Sequence, residues 1–549
     1  MGDTDMFGGL TKTSSRIAIA AALGFTLGGY AMSTPAKAAD LGGDCCADLE
    51  ERVAELEATT VRKGNKKVSV TVSGWVVKVG DWWNDGDESN FYVGDKHTTL
   101  SSHVQVSGSA TIAPGWSGGY TLSLEMRGGS APGDNNQWNE NVANSAGLDI
   151  LSNQSVLLSY MWVKSDKYGA INWGQLSQAT DNVALLPDLS GTIIESNAVL
   201  FDGQGLLIRA KGAKGANGLA GAIGTWGGAL TCISGGGGIG ADCNGYPQNG
   251  VRYDSPTFGG FSISGGFYED DAKDIAVKYA GEWDTIKVSA AFGYTNLTDE
   301  GEPFGGTTAA SAPGSLALLG GGGIPGQGFR KDVDIFQVGA SAMHVPSGLF
   351  IYGMWQREEN NGTNLGGSTN GTNGNLIINP LTGAVVQAVA PGGDFGGYGA
   401  VGSTAQNSND VWFLKGGIKR TWNPLGATVL WGEYGKYEDQ YRGLCSPVLG
   451  GNGNQVGCFT AVQVGQVGNG NPAGPGQVVL GNISGSEVTR YGLGVVQEID
   501  AAAMHLFARW QHLDLDITGQ FIDAFDGTDV GTPSFEDQEL FQVGGVIFF

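Results

Sequence analysis

From residue 67 onward, apolar side chains recur at every second position in short runs, and the stretch 249–296 shows the pattern best. Val251, Tyr253 and Thr257 alternate with polar or small residues, and Phe261, Ile263 and Phe267 start the next run. Ile275, Val277, Tyr279 and Trp283 follow, then Ile286, Val288, Ala290, Phe292 and Tyr294. Period two with one apolar face predicts four consecutive strands, with turns at Pro256 and Gly259-Gly260, at 269–274 and at Asp284. The other face carries Arg252, Asp254, Lys278 and Glu282, and aromatic residues gather near the ends of the runs. A soluble sheet turns its apolar face inward. Charge on the enclosed face and aromatics at the ends instead predict a barrel wall with lipid outside and water inside.

The same reading places strands at 68–79, 100–112, 119–128, 154–165 and 169–178 before this stretch. After it come 331–345, 349–358, 410–421, 427–438, 487–497, 502–514 and 535–549, sixteen strands in all. An even number suits a closed antiparallel bacterial barrel. Connections alternate in length. Short turns at 113–118, 166–168, 346–348, 422–426 and 498–501 alternate with long loops at 80–99, 129–153, 179–248, 299–330, 359–409, 439–486 and 515–534. Only 269–274 breaks the alternation. One rim of short turns and one of long loops is the expected asymmetry of an outer-membrane barrel. The fold expected is therefore all-β: a 16-stranded antiparallel transmembrane β-barrel over residues 67–549.

Composition narrows this further. The chain has 549 residues, 95 of them glycine, with only 15% charged and a net charge of −24. Beyond the N-terminal segment no apolar run reaches the roughly 18 residues of a membrane helix, whereas transmembrane strands hide from hydropathy averaging. The acidic balance argues against nucleic acid as a partner. For an aqueous pore it predicts a lean toward cations.

Residues 1–38 read as a secretory signal, with Lys12 and Arg16 before an apolar run of about 15 residues and Ala36-Lys37-Ala38 at the end. Within 39–66, the stretch CCADLEERVAELEATT predicts a short periplasmic helix, with Leu49, Val53 and Leu56 on one face and acidic residues at its start. It reads either as a linker or as a small subunit-joining coiled coil. Six cysteines in an exported chain favour disulfides. Cys232 and Cys243 bracket one short loop and Cys445 and Cys458 another, each pairing able to contribute about 3 kcal/mol.

Enzyme motifs do not survive their context. Residues 235–240 match G-x-G-x-x-G without a strand-to-helix unit around them. Gly115, Ser117 and Gly119 match G-x-S-x-G in a turn that leads into a strand rather than a helix. The five histidines show no metal-ligand spacing, so no metal, cofactor or catalytic residue is expected. Asp81, Asp85, Asp87 and Glu88 read as a solvated acidic loop, with divalent-ion binding at the lipopolysaccharide surface as the lesser reading.

Strand parity proposes which charges line the pore. Leu122 and Leu124 facing out put Glu125 and Arg127 inside; Val251 and Tyr253 facing out put Arg252 inside. The same rule turns Lys278, Lys415, Lys419, Arg490, His505 and Arg509 inward. The longest loop, 179–248, is the expected constriction, because a loop of that size in a compact fold usually has a function. Its apolar residues Leu185, Leu186, Ile193, Ile194, Leu200 and Phe201 would pack it against the wall. Asp181, Asp188, Glu195 and Asp202 would then face the basic wall across the opening.

Several segments resemble the general porins of alphaproteobacteria: CCADLEERVAELEATT, the run 62–68, RYDSPTFGGF, Ala280-Gly281-Glu282 and the terminal Phe. The resemblance covers nearly the whole chain after residue 38, and RYDSP is its most specific piece. It implies a homotrimer of sixteen-stranded barrels in the outer membrane, in contact with lipid and lipopolysaccharide, with loop three folded into each pore. It also implies passive diffusion of small hydrophilic solutes and ions. Related sequences have Ser-Ser-Arg where this chain has Ser101-Ser102-His103, so one wall arginine is replaced. A substrate-specific porin and a plugged structural or adhesive barrel are the competing readings.

Overall fold

A computed structural model describes residues 67–86, 89–96, 102–126, 154–199, 206–209, 211, 222–226, 230, 242–243, 247–269, 271–303, 328–360, 376–378, 385–388, 408–439, 446–449, 455–462, 479–523 and 534–549. The expected signal segment and N-terminal helix lie outside these.

Sixteen strands form the wall. They are β1 (Ser69–Asn84), β2 (His103–Ala113), β3 (Trp116–Met126), β4 (Gln154–Ser165), β5 (Gly169–Leu176), β6 (Gln248–Asp254), β7 (Phe261–Tyr268) and β8 (Lys273–Trp283). The second half is β9 (Ile286–Pro303), β10 (Gly328–His344), β11 (Leu349–Asn360), β12 (Ser408–Asn423), β13 (Gly426–Glu438), β14 (Val479–Ile499), β15 (Met504–Asp523) and β16 (Gln538–Phe548). Each pairs antiparallel with its neighbours, and β1 closes the ring by pairing with both β2 and β16. Gly74 and Phe549 exchange both backbone hydrogen bonds, at 3.0 and 3.1 Å, so the last residue of the chain is part of the closure. A closed ring leaves no unpaired edge, which is what hydrocarbon demands of a spanning sheet. No helix among the described residues is long and apolar enough to cross a membrane.

The outer surface fits the same solvent. Leu122, Leu124, Val251, Ile263, Ile275, Phe292, Ile351, Leu414 and Leu493 are exposed on it. Aromatic residues flank this apolar belt. Trp116, Tyr168, Phe258, Phe261, Trp283 and Trp422 are exposed near the short turns. Toward the opposite rim Tyr294 packs on Phe336, Trp412 on Tyr434 and Tyr491 on Trp510. Trp412 and Trp422 both lie on β12, ten residues apart, with the irregularity between Arg420 and Asn423 at its lower end. That is about 34 Å of strand at ~3.4 Å per residue, or about 25 Å of height at a tilt near 45°, matching the apolar band of a transmembrane barrel. The upper aromatics point their polar ends outward: Tyr294 Oη donates to Asp334 (2.7 Å), Trp355 Nε1 to Asp410 (3.1 Å) and Trp510 Nε1 to Glu539 (2.6 Å). A ring in lipid with its donor in the polar layer is the usual reason for such girdles.

Two expectations need correction. The loop expected at 80–99 is partly sheet, since β1 continues to Asn84 and pairs there with Ser89–Gly94. Asp81 and Asp85 are accordingly buried rather than solvated, and Asp81 accepts a hydrogen bond from Gln542 on β16. Asp87 and Glu88 lie outside the described residues. Second, β9, β14 and β15 run well past the expected ends, β14 from Val479 and β15 to Asp523. Beyond the bilayer the ladder needs no apolar face, so period two fades while backbone pairing continues.

Candidate functional site

The segment 177–199, which follows β5, is pinned to the inner wall strand after strand. Ala179 N takes a hydrogen bond to Tyr268 Oη on β7 (2.9 Å). Thr180 N and Oγ1 both donate to Asp274 on β8 (2.7 and 2.9 Å), and its hydroxyl meets Thr295 on β9 (2.6 Å). Ala179 and Val183 pack on Ala276 and Ala291. The backbone then passes so close to β10 that a Cβ on Gly339 would stand 2.0 Å from the Ala184 carbonyl oxygen. Glycine is there because only it leaves room for another backbone. Tyr352 on β11 donates to the same Ala184 carbonyl (2.7 Å).

Beyond Leu186 the contacts become ionic. Lys415 Nζ on β12 reaches Asp188 (2.8 Å) and the Ser196 carbonyl (2.9 Å). Ser196 Oγ donates to Glu433 on β13, which Arg490 on β14 also grips at 2.6 Å through Nη2 and 3.1 Å through Nε. Tyr437 Oη donates to the Ala198 carbonyl (2.7 Å). Glu195 meets His505 Nδ1 at 2.7 Å, and Arg509 donates to the Glu195 carbonyl at 2.9 Å, both from β15. Lys415, Asp188, Arg490, Glu433, His505 and Glu195 are all essentially without solvent contact.

The segment thus follows the wall from β7 round to β15. The expectation that the loop carboxylates stand across an opening from the wall is corrected for Asp188 and Glu195, which touch their partners directly. The physical reason is burial: a charge taken out of water needs its counter-charge in contact.

The remaining sequence-proposed residues divide as follows. Arg252 faces inward, held by Asp254 (3.1 Å) and the Ser177 carbonyl (2.7 Å). Lys278 lies on β8 within the fields of Arg252, Asp254 and Asp181, at the start of the loop. Lys419 pairs with Glu498 near the turn rim, and a Cβ on Gly191 of the loop would stand 2.5 Å from its Nζ. Asp181 accepts from Asn182 Nδ2 (2.6 Å). Arg127, Asp202, Cys232 and Cys445 lie outside the described residues, and Cys458 falls on the short strand Gln455–Val462. Cys243 is buried, with its Sγ beside Gln356 Nε2 (2.8 Å) and Glu358 (3.7 Å) on β11.

Charge states on the loop differ from end to end. Burial pushes Asp181 up to about 6 despite Arg252 and Lys278 nearby. Asp242 is raised well above the usual range, first by burial and then by Asp181. Burial acts in the same direction on Glu195, but His505 more than offsets it and holds that carboxyl below its ordinary value.

Alternation alone missed Glu433, Tyr352 and Tyr437. On β13 the inward face holds Val429, Trp431 and Tyr437 while the outward face holds Leu430 and Tyr434, so both faces are apolar and parity has no contrast to read. Another feature lay beyond pattern reading. A cluster of buried apolar residues fills part of the lumen, where Leu185, Val199, Leu206, Ile208, Trp226 and Leu230 of the loop pack on Phe413, Val488, Leu513, Leu515 and Leu540 of the wall.

No family model and no curated protein matches this chain. Among solved structures, it is similar to an anion-selective porin from Comamonas acidovorans, with 14% identity and a TM-score of 0.45 over 88% of this chain and 100% of that one. An OmpF of Salmonella typhi, in complex with daunomycin, gives 13% identity and 0.41 over 89% and 100%. The trimer form of OmpT, an outer membrane protein of Vibrio cholerae, gives 11% and 0.41 over 88% and 100%.

Proposed function

We propose that this chain is an outer-membrane diffusion channel, a general porin that passes small hydrophilic solutes and ions down their gradients as one subunit of a homotrimer. The observation that carries the reading is a closed sixteen-stranded ring with an apolar outer belt whose enclosed face is polar and charged, with a loop segment anchored against it by buried ion pairs. A protein that only needed a structural barrel in lipid would have no use for Lys415, Arg490, Arg509, Glu433 and Asp188 inside it, since burying each charge is costly. A channel does, because these pairs hold in place the loop that narrows the passage. On this reading Arg252, Lys278, Lys415, Lys419, Arg490 and Arg509, with Arg127, form the basic wall, and Asp181, Asp188, Glu195 and Asp202 belong to the constriction loop 179–248. Lys415, Lys419, Arg490 and Arg252 are each matched by a carboxylate. Their charge is therefore largely cancelled, and the chain's acidic excess makes the channel lean toward cations. Disulfides Cys232–Cys243 and Cys445–Cys458 would stabilise the long loops, and the segment 39–66 would lie on the periplasmic side.

The test is single-channel conductance of the purified full chain in a planar bilayer, with the reversal potential read under a KCl gradient. Open steps in groups of three with a cation-leaning potential are expected. The apolar cluster inside the lumen favours a second reading, a plugged structural or adhesive barrel. Folded, inserted protein that shows no steps would decide for that reading.

A further inference from the structure

On the outer surface of β11–β15, one row of directly paired residues runs Ile351, Gly416, Gly432, Leu493, Trp510. Ile351 and Leu493 stand exposed at either side, and the two positions between them have no side chain. The result is a slot floored by Gly416 and Gly432. Two shallow cavities, open to the outside, share that floor: one of about 470 Å³ reaching up to Tyr434 and Trp510, the other of about 460 Å³ reaching down to Leu349 and Leu430.

Glycine weakens a strand interior, so two adjacent glycines in a wall need a reason. Internal packing does not give one. A Cβ on Gly416 would meet only the Phe350 carbonyl oxygen, at 3.7 Å, and one on Gly432 would find its nearest atom, Leu493 Cδ2, at 3.4 Å, both ordinary contacts. The next residue, Gly417, shows the contrast, since a Cβ there would lie 2.0 Å from the Leu430 carbonyl oxygen. Nor is there a bulge: the register through Gly416 and Gly432 is unbroken, and its shift comes only at Arg420 and Asn423. What remains is the approach of something from outside.

We propose that the slot seats a lipid acyl chain. It is continuous with the apolar belt and lies below the aromatic girdle of Trp412, Tyr434, Tyr491 and Trp510, at the depth of hydrocarbon. Water has no polar partners along Leu349, Ile351, Leu414, Ile418, Leu430 and Leu493. Its shape favours one chain over another barrel. The floor is two strands wide, with strands about 4.8 Å apart, and the paired cavities extend it along the strand direction. A single hydrocarbon chain fits that slot, whereas a neighbouring barrel offers a broad face. The proposal does not depend on whether the barrel conducts.

The experiment uses the full chain in vesicles of phosphatidylethanolamine carrying a photoreactive diazirine on one acyl chain, with labelled residues mapped by mass spectrometry. Labelling of Leu414, Leu430 and Tyr434 is expected to exceed that of the equally outward Leu122 and Leu124 several-fold. Filling the slot with Gly416→Leu and Gly432→Leu should remove the excess while leaving subunit number and conductance unchanged. Labelling spread evenly round the wild-type barrel overturns the proposal, and this measurement needs no variant to fold. So does exclusion of label from the slot in wild type with loss of oligomers in the double variant, which would make the slot a contact between copies of this chain.

Discussion

The two ends of the segment 177–199 are held by different chemistry. Near β5 the loop is fixed through its own neutral groups: the Ser177 carbonyl accepts from Arg252, Ala179 N donates to Tyr268, and Thr180 donates to Asp274 and meets Thr295, with Ala179 and Val183 on alanines of the wall. Near β15 it is fixed by ion pairs, Asp188 with Lys415 and Glu195 with His505. The near end is where the loop leaves the sheet, so its backbone is already constrained by the strand and modest contacts suffice. The far end is a mid-loop stretch with no covalent tie to β12–β15, and only strong, directional contacts offset its ordering entropy. Covalent proximity decides which end can rely on weak contacts.

The sharpest way to break this contrast is to remove one charge at the far end. Lys415→Met strands Asp188 in the interior and is expected to cost about 3–5 kcal/mol, the usual penalty for an uncompensated buried ion. Adding Asp188→Leu should recover most of that loss, because the pair itself contributes little beyond its own desolvation cost. Unfolding of the detergent-solubilised barrel followed by tryptophan fluorescence reads both. A double variant no more stable than the single one would show that the ion pair supplies more than mutual neutralisation.

How far the sequence carries this picture depends on contrast between faces. Where apolar and charged positions alternate cleanly, as along Val251, Arg252 and Tyr253, both the strand and the inward residue were readable, and Arg252 is where parity puts it. Where the lumen side is itself apolar, the signal vanishes, and the apolar inward face of β13 hid Glu433 between Trp431 and Tyr437. Strand ends were blurred for a related reason, since beyond the membrane the ladder of β14 and β15 continues without patterning. The loop's acidic residues could be named from sequence, but not their partners. Asp188 and Lys415 are 227 positions apart, and nothing local links them.

A second prediction turns the contrast into opposite responses to pH. Asp181 at the near end has its carboxyl raised, from 3.8 to about 6, by burial. A raised acid favours the folded state in its protonated form, so its contribution is full below about 3.8 and is lost as pH rises through about 6. Glu195 at the far end has the opposite sign. Its carboxyl is held below 4.5 by His505 against the effect of burial, so its contribution is present above 4.5 and is lost as pH falls through the lowered value. Acidification should therefore tighten the near end and loosen the far end. Hydrogen exchange of the loop amides at pH 7, 5 and 3 checks it: protection near Asp181 should rise from pH 7 to 5, while protection near Glu195 should hold to pH 5 and fall by pH 3. Asp181→Asn should weaken the first trend, leaving the part that belongs to Asp242, whose carboxyl burial also raises, and should leave the second unchanged. Protection that moves the same way at both ends would remove the distinction between them.

The smallest effect separates two tyrosines that do the same job at the two ends. Tyr352 donates to the Ala184 carbonyl and Tyr437 to the Ala198 carbonyl, each at 2.7 Å and each fully buried. Removing either hydroxyl takes a donor from a buried carbonyl, although the Ala198 carbonyl keeps Arg490 Nη1 at 3.4 Å, so Tyr352→Phe and Tyr437→Phe should each cost about 1 kcal/mol. They should not cost the same. Tyr437 Oη also accepts from Arg490 Nη1 at 3.5 Å, and that guanidinium is the partner of Glu433. Loss of the Tyr437 hydroxyl therefore weakens the charged network along with the loop contact, whereas Tyr352 donates only to the backbone. Combining each change with Glu433→Gln separates the cases. Tyr437→Phe should couple to it, and Tyr352→Phe, acting on the near side of the loop, should add to it independently. Equal coupling for both would mean that the two ends are one cooperative unit after all.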